Sequence, residues 1–191
     1  PMKIVLASNN RGKLAELQSM FAPLGVELIC QGDLFEGEAP EPFGTFVENA
    51  LSKARFAAER TGLPAIADDA GLCVDAFDGQ PGVDTAYYCT HYGYEKSDAN
   101  NVTCLLENLA PHANRQAAMV STLVGVRHPK DPEPLIAVGR VNVEIARERR
   151  GSNGFGFDPV LIIPEIGKTF AEMAPEFKND HSHRGRSTRA M

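Results

Sequence analysis

The stretch KIVLASNNRGKLAELQSMF, Lys3–Phe21, passes from an apolar run through a polar turn straight into an amphipathic segment. Ile4–Ala7 reads as a strand, and Leu14, Leu17, Phe21 and Leu24 recur at helical spacing, so the following segment has one apolar face. Gly25 stops that helix, and Val26–Cys30 reads as a second strand. A strand, a turn and a helix N-terminus in this order aim backbone N–H groups and the positive end of the helix dipole at an anion. Within the turn, Asn9 and Asn10 can take tight-turn geometry or donate amides, Gly12 allows close backbone approach, and Lys13 brings a point charge. The turn is not a P-loop, because Ala7 stands where GxxxxGK[ST] has its first glycine and Leu14 where it has a hydroxyl. An ordinary strand–turn–helix with a solvated lysine fits these residues too.

Outward from this stretch, strands and helices continue to alternate. Thr45 with Glu48 three residues on matches a capping box, opening a helix to about Arg60 that ends near Gly62. Leu63–Ala67 gives a short strand that feeds Asp68-Asp69-Ala70-Gly71. Ser97 caps a helix with Val102, Leu105, Leu106 and Leu109 on its apolar side. Ala117–Val126 and Leu135–Ile145, joined by RHPKDPEP, read as a long hairpin, Val160–Ile163 as a further strand, and Ser182 as the cap of a short last helix. Alternation followed by a hairpin predicts an α/β fold with a mixed sheet.

At 191 residues with 43% apolar and 23% charged residues, one domain over 1–191 with a sizeable core is expected. No apolar run nears the roughly 20 residues that span a bilayer, and the start lacks the order of a signal peptide, so a cytoplasmic protein is expected. The four cysteines form no CxxC or Cys/His cluster and read as buried thiols. A net charge of -6 argues against a nucleic-acid polymer as partner. Charge is also unevenly placed. Asp33, Glu36, Glu38, Glu41 and Glu48 lie between Gln31 and Ser52 without a Lys or Arg, whereas Lys178, Arg184, Arg186 and Arg189 near the end face only Asp180. An acidic pole for a metal and a basic pole for an anion fit this pattern, as do two solvated patches.

Three further stretches carry chemistry. In IADDAGLCVDAF, Asp68 and Asp69 follow a buried strand, and consecutive residues of an extended chain point opposite ways, so one carboxylate is expected to act as metal ligand or base while the other supports it. Carboxylates suit Mg2+, which takes one or two of them plus substrate phosphates. Glu41 is a candidate additional ligand; Glu48 answers equally to its capping position, and Lys53 either reaches a phosphate or is a surface neighbour. Asp75 reads as part of a following strand. In GSNGFGFDPV, Phe155 and Phe157 between glycines can lay a ring against a base, and Asp158 can accept from sugar hydroxyls or anchor the turn. In KNDHSHRGRS, donors on His183 and Arg184 can read a carbonyl or hold phosphate. No GxSxG, Cys/His or HExxH pattern supports covalent catalysis or a zinc site.

SNNRGK, TFVENALSKA, IADDAGL, GFGFDP and KNDHSHRGRS, in this order and across almost the whole chain, resemble the inosine triphosphate pyrophosphatase family, whose bacterial members are the dITP/XTP pyrophosphatases. The resemblance implies a homodimeric, elongated α/β protein with a mixed sheet flanked by helices, two lobes around a central cleft, and Mg2+-dependent hydrolysis of non-standard purine nucleoside triphosphates (ITP, dITP, XTP) to monophosphate and pyrophosphate. By motif match Ser8, Asn9, Asn10, Arg11, Gly12 and Lys13 bind the triphosphate. Asp69 is proton acceptor and metal ligand, with Glu41 and Asp68 beside the metal. Phe155, Gly156, Phe157, Asp158, Lys178, His183 and Arg184 contact base and sugar. The chain departs from the family in Ala70, where relatives carry serine in the substrate site, and in Tyr87, where a basic residue is common. Met191 follows the HRG motif closely, so a short last helix is expected, and Pro1 ahead of Met2 reads as a processing remnant. A Maf-like pyrophosphatase of other base specificity and a nucleotide-binding regulator with weak catalysis are the competing readings.

Overall fold

The structure, a computed structural model, describes residues 2–191; Pro1 lies outside the described residues. Seven strands, β1 (Met2–Leu6), β2 (Val26–Cys30), β3 (Ala65–Val74), β4 (Gln116–Val126), β5 (Leu135–Ile145), β6 (Leu161–Ile163) and β7 (Lys168–Thr169), form one sheet in the order β2-β1-β3-β4-β5-β6-β7. β1 is parallel to both β2 and β3, while β6 is antiparallel to β5 and β7. The sheet is therefore mixed, and helices accompany it: α1 (Arg11–Phe21), α2 (Phe46–Thr61), α3 (Asp98–Leu109), α4 (Pro175–His181) and α5 (His183–Ala190).

The chain divides into two compact units. The first comprises the N-terminal segment through Asp69, Ser121–Gly139 and Arg184–Met191; the second comprises Ala70–Val120 and Arg140–His183. In the first unit, strand alternation sorts the core into two layers. Val5, Ala7, Ala65, Ala67, Val124 and Val126 pack with Ala50, Ala54, Ala57 and Ala58 of α2. Small side chains at helical spacing on α2 let the helix lie close on the strands. Leu6, Leu28, Ile66 and Leu123 instead pack with Leu17 and Phe21 of α1. Continuing the period of two along β3, Asp69 falls on the α2 side with Ala65 and Ala67, and Asp68 on the α1 side with Ile66.

The core of the second unit gathers Leu72 and Val74, Val102, Leu105 and Leu109 of α3, Val141, Val143 and Ile145 of β5, and Phe157, Leu161 and Phe170. Arg115, buried, donates to the carbonyls of Leu109, Ile145 and Ala146 at 2.8–3.1 Å and so ties the end of α3 to the end of β5.

Several local expectations shift. α1 stops at Phe21, and Ala22–Leu24 form a 3-10 turn that leaves Leu24 exposed before Gly25 takes φ 74°. Pro23 explains the early stop, since it lacks an N–H for a further helical turn. β3 runs on through both aspartates to Val74, and Asp75 opens a 3-10 turn rather than lying inside a strand. The 3-10 segment Gly82–Tyr92, the short helix α4 and the strand β7 have no counterpart among the sequence expectations.

Candidate active site

In the first unit the turn after β1 is stitched to its own helix. Asn10 Oδ1 accepts the Lys13 N–H at 3.1 Å and caps α1, while the Asn10 N–H donates to Ser8 Oγ at 3.0 Å. An Asn at this position satisfies one of the four N–H groups that a helix start leaves without intrahelical partners. Arg11 pairs with Asp33 at 3.0 Å on the surface, and Asn9 Nδ2 donates to Glu38 Oε1 at 3.4 Å. Donors of the turn thus face carboxylates of the acidic segment.

Lys13 and Lys53 converge on β3. The main-chain carbonyl of Asp68 accepts from Lys13 Nζ at 3.1 Å and from Lys53 Nζ at 3.2 Å, so one oxygen draws together ammonium groups from α1 and α2. Lys53 Nζ also meets Glu41 Oε1 at 3.1 Å and Asp69 Oδ1 at 3.4 Å, which uses its three donors. Burial lowers the Lys13 pKa, opposed by Asp68 and reinforced by the neighbouring charges of Lys53 and Arg184. For Lys53 burial acts the same way, but Asp69 and Glu41 outweigh it and the pKa is raised. Asp69 is buried and its pKa is raised, first by burial and then by Glu41, against the opposing pull of Lys53 and Lys13. Its Oδ2 is buried without a hydrogen-bond partner among the described residues. An acceptor left in that state is costly in a closed interior. It is the kind of atom that a cation or a water completes.

Asp68 points the other way into a closed network. Its Oδ1 accepts from Ser121 Oγ at 2.6 Å, and its Oδ2 meets Arg184 Nε at 3.0 Å and Nη2 at 2.9 Å. Arg184 Nη1 continues to Glu16 Oε1 at 2.7 Å, and Ser187 Oγ lies 2.7 Å from Ser121 Oγ. Burial works against the Arg184 charge, but Asp68 and Glu16 more than offset it and raise the pKa. Two of the expected site residues find partners within this unit. Asp68, expected beside the metal, spends both oxygens on a hydroxyl and a guanidinium. Arg184, expected at base and sugar, is buried against two carboxylates of its own unit. Among the described residues no three His, Cys, Asp or Glu side chains group as a metal cage. Asp69 with Glu41 fits Mg2+ nonetheless, because that ion takes few protein carboxylates when phosphates complete its shell.

Glu48 starts α2, where its N–H donates to Thr45 Oγ1 at 3.3 Å and its carboxylate accepts the Thr45 hydroxyl at 2.6 Å. Its role here is capping.

The second unit holds its own constellation. Asp158 Oδ2 accepts the Phe155 N–H at 3.0 Å and Lys178 Nζ at 2.7 Å, both Asp158 and Lys178 being buried. Lys178 Nζ sits 4.8 Å from the centre of the Phe155 ring and 5.8 Å from that of Phe170, within cation–π range. Gly154, at φ 76°, makes this possible: a Cβ there would lie 2.0 Å from Asp158 Oδ2. Gly156, at φ 62°, donates its N–H to Asp98. Phe157 is buried in the core, so of the two phenylalanines Phe155 is the accessible ring. Asp158, expected to accept from sugar, anchors the turn and the lysine. His183 lies flat on Phe170, ring centres 6.0 Å apart and planes 6° off parallel. Ala70 is half-buried, and Tyr87 is exposed with Lys96 Nζ 4.4 Å from its ring centre.

Glu16, Ser121, Ser187 and Phe170 were not among the expected site residues. Glu16 looks like any solvated charge on α1, and its role needs Arg184, 168 positions away. Ser121 does leave a signal: a hydroxyl interrupting the apolar run AAMVSTLVGV.

A model of the Ham1 family matches residues 4–191. The chain is 77% identical over 190 residues to a dITP/XTP pyrophosphatase of Delftia acidovorans, spanning 100% of this chain and 95% of that one, and 75% identical to one of Paracidovorax citrulli, spanning 100% and 96%. Among solved structures, a HAM1 protein from Coxiella burnetii superposes with a TM-score of 0.88 at 41% identity over 99% of this chain and 95% of that one. A nucleoside-triphosphatase / dITP/XTP pyrophosphatase from Mycobacterium abscessus gives 0.76 at 43% identity over 99% and 98%.

Proposed function

The chain belongs to the Ham1 family, and from that premise we propose that it is a Mg2+-dependent, homodimeric pyrophosphatase that hydrolyses ITP, dITP and XTP to the monophosphate and pyrophosphate. The observation that carries the reading is Asp69: a buried carboxylate with one oxygen on Lys53 and the other without a hydrogen-bond partner among the described residues.

Lys13, Lys53 and the N-terminus of α1 supply the positive charge that a triphosphate needs before a water can approach phosphorus. Bound by Asp69 and Glu41, Mg2+ would add Lewis-acid polarisation of the phosphoryl oxygens. Asp69 takes the proton of the attacking water through the carboxylate oxygen that no hydrogen bond from the described residues occupies. Asp68, held by Ser121 and Arg184, keeps its peptide carbonyl fixed as the common acceptor of both lysines. For base choice, the relevant difference is that inosine and xanthosine present a carbonyl acceptor at C6 where adenosine presents an amino donor. Lys178, 4.8 Å from the centre of the accessible Phe155 ring, and His183, stacked on Phe170, are the candidate donors; sites that pair buried groups in this way discriminate by as much as about 10⁴ to 10⁵.

Product analysis tests the reaction type. With dITP and Mg2+, equimolar monophosphate and pyrophosphate are expected; diphosphate with inorganic phosphate would overturn the proposal. Sedimentation at micromolar concentration should give twice the monomer mass.

A further inference from the structure

The end of β2 lies beneath the turn Ser8–Lys13. β1 and β2 are parallel with Leu6 opposite Cys30, so both strands deliver their carboxyl ends to the same place, where open parallel sheets bind their ligands. Cys30, buried, brings its Sγ to 3.0 Å from the Ser8 carbonyl and 3.9 Å from Asn9 Oδ1. Two residues on, Gly32 leaves the space that the Asn9 carboxamide fills: a Cβ at position 32 would stand 2.4 Å from Asn9 Oδ1 and 3.3 Å from its Cγ. With its oxygen turned to the thiol and the glycine, the carboxamide presents Nδ2 outward, where Glu38 Oε1 accepts it at 3.4 Å.

We propose that Cys30 and Gly32 are positioning residues for the anion-binding turn, acting through Ser8 and Asn9 to hold the Asn9 amide nitrogen toward a phosphate oxygen. The inference rests on the reading of Ser8–Lys13 as a triphosphate cradle. The thiol donates its one proton to the Ser8 carbonyl and lies against the acceptor end of the carboxamide. A thiol is a weak donor, but fixing that carbonyl fixes the peptide that carries Asn9, and Gly32 leaves the room its carboxamide occupies. Glu38 takes the donor end as the acceptor that a substrate phosphate would replace. The contact at Gly32 is with the far end of a flexible side chain and not with backbone. An alanine there would therefore swing Asn9 aside without distorting the backbone of the 3-10 turn Gln31–Asp33. Gly32 is not among the glycines with positive φ, so its substitution by alanine introduces no backbone strain.

The test is a double-mutant cycle read by calorimetric titration with inorganic tripolyphosphate and Mg2+, alongside steady-state kinetics on dITP. Gly32→Ala should weaken tripolyphosphate binding about tenfold, the loss of one charge-assisted hydrogen bond, and raise KM more than it lowers kcat. In the Asn9→Gly background, Gly32→Ala should change binding by less than about twofold, because the side chain it displaces is gone. Cys30→Ala should weaken binding in the same sense, and Cys30→Ser, which keeps a donor to the Ser8 carbonyl, should restore it. Equal losses from Gly32→Ala in both backgrounds, or no loss in either, would overturn the inference while leaving the cradle intact. Failure of the unaltered protein to bind tripolyphosphate would overturn the cradle itself and the inference with it.

Discussion

Arg184→Met separates a structural from a substrate-contacting role for the basic C-terminal motif. Met has about the length of the arginine stem and no charge, so the substitution removes two contacts to Asp68 at 2.9 and 3.0 Å and one to Glu16 at 2.7 Å while filling most of the space. Asp68 is fully buried and Glu16 nearly so, and water cannot replace the guanidinium at Asp68. Breaking a buried pair from one side typically costs about 3–5 kcal/mol. Ser121 at 2.6 Å and Lys13 at 3.5 Å still attend Asp68, which argues for the lower end. At about 2–4 °C per kcal/mol for a chain of this size, the melting temperature should fall by about 6–12 °C. The assay is thermal unfolding at pH 7 by far-UV circular dichroism. The double variant Arg184→Met/Asp68→Asn, which removes the stranded charge, should recover part of the loss, a coupling that independent sites would not show. An unchanged melting temperature together with a raised KM for dITP would refute the reasoning and return Arg184 to the role of base or sugar contact.

Asp69→Asn should lower kcat by about 10²–10⁴ while the protein melts as before; near-normal, metal-dependent turnover would remove Asp69 from the chemistry. Burial pushes the Tyr88 phenol up to about 12, with its hydroxyl taking a hydrogen bond from Asn108 at 2.6 Å. Since the folded state keeps a proton that the unfolded chain loses near pH 10, this contribution to stability is intact below about pH 10 and is lost as pH rises toward about 12. Urea unfolding between pH 9 and 11 should show that slope in the unaltered protein and a shallower one in Tyr88→Phe; equal slopes would contradict it. Thr45→Ala removes the cap of α2 and should cost about 1 kcal/mol, seen as a fall of about 2–4 °C in melting temperature.

The period-two and period-3.6 patterns made β1, α1, β2, α2, α3 and the two long strands legible, because each has an apolar face that one packing layer buries. What the pattern did not carry is closure at a distance. From the sequence, Asp68 and Asp69 had to face opposite sides, and they do. Which partner waits on each side depends on residues 16 to 116 positions away: Ser121 and Arg184 for Asp68, Lys53 for Asp69. Local rules left open the residues that had two admissible tasks. Asp158 and Arg184 looked like ligand contacts because they are polar and near glycines or a helix start. Burial then gave each an opposite charge within its own unit, Lys178 for Asp158 and Asp68 with Glu16 for Arg184. Glu48 went the other way, its capping geometry being readable from Thr45 alone. β7 and the 3-10 segment Gly82–Tyr92 escaped because neither has a period long enough to read.

The most direct test of the account is pyrophosphate release from matched dITP, ITP, XTP, GTP and ATP, each with Mg2+ and again with a chelator. Fast, chelator-sensitive release from dITP, ITP and XTP, with ATP, which lacks the C6 carbonyl, turned over far more slowly, is the predicted result. Release that is indifferent to the base, or that persists in chelator, would contradict it.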